Sequence, residues 1–146
     1  MQFEVIIEAE TARDMIGYTL DDHLELGTNL FEASVPAVSV IVAALAGELS
    51  PTARGHLLIT LCRMVSGESH STEAAFGRMR LGDECRARCR EGLWVVGQVG
   101  LTGGADEAEM AADIFELVDI DEARSVFYQS LLRRRVKAKT RRRRLV

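Results

Sequence analysis

Apolar residues recur three and four positions apart through most of this chain, in stretches that repeatedly stop at glycine. That is the period of a helix buried on one face; a half-buried strand would alternate instead. With Thr11 as cap, Met15, Ile16, Leu20 and Leu24 predict a helix to about Leu26, stopped by Gly27. A second helix is expected from near Thr28 to Gly47, burying Leu30, Phe31, Val35, Val38, Ile41, Val42 and Leu45. Pro36 falls inside it and should bend or split it, because proline removes a backbone donor. Ser50-Pro51 combines a capping side chain with a proline at the first helical position. It opens a third helix to about Val65, with Leu57, Leu58, Leu61, Met64 and Val65 inward and Gly67 as its stop.

Residues 66–82 read as a long loop with a helical turn around Glu73 to Phe76. A fourth helix is expected from Asp83 to about Val99, with Cys89, Leu93, Val96 and Val99 inward, weakened by Gly92 and Gly97. Asp106 caps a fifth, which buries Met110, Ile114, Phe115 and Val118. A sixth starts at Asp121, buries Val126, Phe127, Leu131 and Leu132, and continues into a run of arginines. Residues 1–10 are ambiguous: Val5, Ile6 and Ile7 favour a short strand, and a helix is the alternative. The connections at 47–50, 100–106 and 119–121 are short, so the helices they join should pack antiparallel. Pairs beginning near residues 11, 51 and 105 predict an all-α chain, a short α-solenoid of about three antiparallel helix pairs. Only two prolines and 5% aromatic residues make a β-sandwich or barrel a poor fit. At 146 residues one domain is expected, with a core that needs no disulfides.

The net charge of −4 hides a division. Residues 1–132 hold all 22 acids against nine arginines and no lysine, leaving −13; residues 133–146 hold nine basic residues and no acid. The chain thus divides into a helical body, 1–132, and a basic C-terminal tail, 133–146. Residues 1–10 lack the basic start of a secretion signal. The longest apolar run, Val38 to Ala46 broken by Ser39, falls short of the roughly 20 residues that cross a bilayer. No membrane partner is expected, and a cytoplasmic setting with three reduced thiols fits.

Chemistry-bearing motifs are sparse. Cys85 and Cys89 lie four apart, so on a helix they share a face. They could begin a metal site, but a structural zinc needs four ligands and a catalytic one three. His56 and His70 stand at no recognised spacing from them, and Arg86, Arg88 and Arg90 would oppose a cation. The same arginines could lower a thiolate pKa, giving a redox-sensitive cysteine; the plainer reading is a core Cys89 and a partly buried Cys85. His23, beside Asp21 and Asp22, reads as an edge histidine. There is no GxSxG, GxGxxG or P-loop, so no cofactor and no enzyme activity are expected.

Two charged features remain. Glu109, Asp113 and Glu116 are spaced to share one helix face, which reads first as an ordinary solvated face and second as a surface for a basic partner; like charges there oppose folding slightly unless a cation answers them. The tail supplies Arg133, Arg134, Arg135, Lys137, Lys139, Arg141, Arg142, Arg143 and Arg144. It could fold back on the acidic body or dock on a neighbouring copy or another protein. It could also bind nucleic acid without sequence preference, having no aromatic between its arginines to stack on bases. Arg78, Arg80, Arg86, Arg88 and Arg90 would join it in that case. Docking on the body or on a protein ranks ahead, because the acidic body repels a duplex.

The stretch NLFEASVPAVSVIVAALAGELSPTARGHLLITLCRMVSGES (29–69) resembles the actinobacterial HEAT-repeat-like proteins, in which a helix of the type vYEATaPAVPFLLELL precedes an acidic turn and a leucine-rich helix. CREGLWVVGQVG (89–100) and AEMAADIFELVD (108–119) are similar to later helices of the same family, and the likeness spans roughly residues 20–135. Glu109 stands where the family usually has an arginine, and the basic tail is outside its pattern. The resemblance implies a curved HEAT-like stack that binds other macromolecules, as an adaptor or immunity-type protein. The expectation is a non-enzymatic interaction module whose concave face is lined by the second helices of the pairs and engages a charged partner.

Overall fold

The computed structural model describes residues 2–18, 20 and 24–143 of the chain, and these are mostly helical. His23 and Arg144 lie outside them. Gln2–Glu8 form helix α1, so Val5, Ile6 and Ile7 are helical and not the favoured strand. Ile6 is fully buried while Ile7 is on the outer side, a one-sided burial that serves a short helix as well as a strand.

The helix expected from Thr11 to Leu26 does not form. Ala12–Met15 make a single 3-10 turn, and Gly17 then takes a φ of 82°, outside any right-handed helix. Met15, Leu20 and Leu24 are buried as expected, but Ile16 is exposed. Glu25–Leu26 (β1) and Asn29–Leu30 (β2) pair antiparallel across a two-residue turn, in which Gly27 has a φ of 68°. Glu68–Ser69 (β3) adds to β2 in parallel, making a small sheet of order β1-β2-β3. No strand was expected in either place. A two-residue strand is too short to show a period of two, and its partner lies almost forty residues away.

Helix α2, Ser34–Leu45, therefore starts later than near Thr28. The Ser34 hydroxyl accepts from the Phe31 N–H at 3.2 Å and donates to the Leu24 carbonyl, fixing the entry. Pro36 neither bends nor splits the helix, because it occupies the third position, where the N–H has no intrahelical acceptor. Helix α3, Pro51–Ser66, forms as its start signal predicts: the Ser50 hydroxyl accepts from the Ala53 N–H at 3.1 Å. The same hydroxyl donates to the Ala9 carbonyl and so ties α1 to α3. Leu57, Leu58, Leu61, Met64 and Val65 are all fully buried.

The loop at 66–82 holds β3 and helix α4, Ser71–Ala75. The expected fourth helix is two, α5 (Leu81–Glu91) and α6 (Leu93–Thr102), broken at Gly92. A side chain there would run into the Val42 Cγ1, so the close crossing of α2 accounts for the glycine. Helix α7, Ala105–Val118, is capped by Gly104 and not by Asp106; the Glu107 carboxylate accepts from the Gly104 N–H. Helix α8, Glu122–Arg143, starts as expected, with the Asp121 carboxylate accepting from the Arg124 N–H at 3.0 Å. It passes residue 132 without a break. Leu132 is buried and Leu131 half-buried, but Val126 and Phe127 are exposed.

Helices α3 and α7 lie centrally, with α2 and α5 against α3 and with α6 and α8 against α7. One apolar cluster runs from Ile6 to Leu132 through all of them. Fully burying a leucine or isoleucine stabilises by about 1.5–3 kcal/mol, so this cluster is what fixes the helices in place. Among the described residues no helix is long and apolar enough to cross a membrane.

Candidate interaction surface

The acidic face of α7 meets the basic part of α8. The Arg133 guanidinium lies 2.6 Å from the Glu116 carboxylate and 3.6 Å from Asp113. The like charges of Asp113 and Glu116 are thereby answered within the chain. Glu109, one turn earlier, is exposed and remains on the open face. Arg134 donates to the Ser130 carbonyl of its own helix at 3.2 Å, and Arg135 donates to the Gly103 carbonyl at 3.1 Å. Gly103 belongs to the α6–α7 turn, so α8 reaches the end of its neighbours at Arg135. It runs on to Arg143 as a helix carrying Lys137, Lys139, Arg141, Arg142 and Arg143. Val136 is half-buried against the core, while Lys137 and Ala138 are exposed.

The arginines of α5 and its approach are engaged within the chain. Arg78 bridges Glu32 at 2.9 Å and Glu73 at 3.0 Å. Arg86 contacts Asp83 at 2.9 Å, Glu68 at 3.1 Å and the Val65 carbonyl at 3.1 Å. Arg80 approaches Asp83 at 3.4 Å, Arg88 lies 3.1 Å from Glu91, and Arg90 donates to the Val118 carbonyl at 2.8 Å. The clustering of cations in sequence thus becomes a set of local pairs in space. The two acidic partners on α5 itself, Asp83 and Glu91, are at helical spacings that the sequence displays.

Cys85 and Cys89 share one face of α5, and both are fully buried. Burial pushes each thiol up to about 12, more than Arg86 and Arg90 offset, so neither is a thiolate at neutral pH. The arginines that flank them in sequence point to carboxylates and carbonyls instead. Among the described residues, no three histidine, cysteine, aspartate or glutamate side chains come together to hold a metal.

The contact between Arg54 and Glu107 is among those that carried no sequence expectation. Glu107, nearly buried, reaches Arg54 of α3 while capping α7 through Gly104. The spacing of Gly104 and Glu107 is that of a capping box, which is the signal that could have found the cap. Nothing local announces Arg54, 53 residues away. Compared with known protein families, characterised proteins and solved structures, the chain matches none of them.

Proposed function

We propose that this chain is a non-enzymatic protein-interaction module, a HEAT-like stack of helices of adaptor or immunity type, which engages an anionic partner through the basic end of α8. In this reading α2–α3 is one helix pair, α5 and α6 together act as one kinked helix paired with α7, and α8 closes the stack. The observation that carries it is the course of α8: it commits Arg133 to the acidic seam and Arg135 to the α6–α7 turn, then continues for eight residues. At 1.5 Å per residue those eight add about 12 Å. Only the last three cations of α8, Arg141, Arg142 and Arg143, lie farther along the helix than the Debye length of about 8 Å at physiological salt, so the acidic body acts on them more weakly than on Lys137 and Lys139.

The same separation favours a second reading, in which the basic helix contacts nucleic acid through phosphates. Duplex repulsion by the body weakens with distance, while the engaged arginines of α5 add little. A titration of a fluorescein-labelled glutamate-rich peptide and of a labelled DNA duplex, read by anisotropy, separates the two. The full chain is expected to bind the peptide at low salt more tightly than the duplex, and a chain ending at Val136 to bind it at least tenfold more weakly. Peptide affinity indifferent to the truncation overturns the role of α8; tighter duplex binding that is lost on truncation transfers it to nucleic acid.

A further inference from the structure

A groove of about 500 Å³ opens between α6, α7 and α8, at the opposite end of α8 from the basic run. Its size is within the range of sites that bury small organic molecules. Tyr128 stacks in it on the buried Phe115 ring, centroids 4.8 Å apart, and Gly97 leaves room beside them: a Cβ there would lie 3.4 Å from the Phe115 ring. Trp94 stands at the groove with 66% of its surface exposed, a large apolar area left uncovered. The charged side chains of the lining are both guanidiniums. Arg90 is held by the Val118 carbonyl at 2.8 Å, and Arg124 by the Asp119 carboxylate at 2.8 and 2.6 Å. These bonds fix the two side chains yet use one N–H-bearing nitrogen of Arg90 and two of Arg124, leaving donors on each. Asp119 offsets one of the two positive charges, and no carboxylate lines the groove itself.

An aromatic, largely apolar cleft with prefixed guanidinium donors and no lining acid selects a flat apolar body that carries a negative group. We infer that this groove binds a planar aromatic organic anion, its ring against Trp94 and Tyr128 and its carboxylate or sulfonate on Arg90 and Arg124. The site is independent of the basic end of α8.

Trp94 is the only tryptophan of the chain, so its indole N–H gives a single reporter in a nitrogen–proton correlation spectrum. The probe is 2-naphthalenesulfonate, compared with uncharged 2-naphthalenemethanol and with octanoate, an anion without a ring. The indole signal should shift saturably with the sulfonate, and both comparison compounds should bind at least tenfold more weakly. Arg124→Gln should bring the sulfonate down to the level of its uncharged twin. Gly97→Leu, which fills the cleft, should abolish the shift while the amide spectrum stays that of a folded chain; if that variant does not fold, Trp94→Ala read on the Gly97 amide replaces it. Equal affinity for charged and uncharged naphthalenes overturns the anion specificity. A shift that fails to saturate, or that survives in the filled variant, overturns the site.

Discussion

Cys85 and Cys89 show how little spacing says about reactivity. Two thiols four apart left open a metal pair, which the neighbouring arginines oppose, or a redox cysteine; the plainer reading of a core Cys89 holds and Cys85 is buried as fully, while the arginines point outward. Burial dominates and keeps both protonated. In the native chain neither should react with a thiol reagent faster than the chain unfolds, whereas denaturant should release all three cysteines. Cys85→Ser, which buries a hydroxyl, should cost about 1–3 kcal/mol in a urea melt. Rapid labelling of Cys85 in the native state contradicts this. Pro36 carries the complementary lesson. A proline is disruptive only where a helix needs its N–H, and the true start of α2 at Ser34 removed that need.

At the scale of elements, a start signal marked α3 and α8, whereas the Thr11 cap and the stripe after it gave only a 3-10 turn. α3 follows from Ser50-Pro51 and five inward residues, and α8 from Asp121. What was not legible depends on contacts from elsewhere in the chain. The need for glycine at the α5–α6 break comes from Val42 on α2, and the hairpin at Glu25 to Leu30 is completed by β3. The apolar positions were read correctly even there, since Leu24 and Leu30 are buried without being helical. The turn between α7 and α8 has a titratable clasp: Asp119 accepts from Arg124 and from the Asp121 N–H at 3.0 Å. The Arg124 bonds hold its carboxyl below the ordinary aspartate range. Its contribution is therefore complete at neutral pH and drains away as pH falls through that lowered value. Asp119→Asn should flatten the acid limb of stability below about pH 4, measured as the urea midpoint against pH. An unchanged limb would assign acid sensitivity to other carboxylates.

At the scale of the whole molecule, charge was the most legible property and its wiring the least. The division between an acidic body and a basic run is plain in the sequence, and Arg133 joins the two on the face that Asp113 and Glu116 form. The sequence did not reveal the distant partners of the arginines near α5, Glu32 for Arg78 and Glu68 for Arg86, nor that the helix carries its last cations past the α6–α7 turn. The reading of the chain as an interaction module rests on the course of α8, which carries Lys137, Lys139, Arg141, Arg142 and Arg143 beyond the turn that holds Arg135. The most direct test compares two full-length variants for binding the glutamate-rich peptide across a salt series. One replaces Lys137, Lys139, Arg141, Arg142 and Arg143 by glutamine; the other replaces the exposed Arg80 and Arg88. The first should lose at least tenfold in affinity and most of its salt dependence, and the second less than twofold. Equal losses, or a larger loss from Arg80 and Arg88, would contradict the assignment of binding to α8.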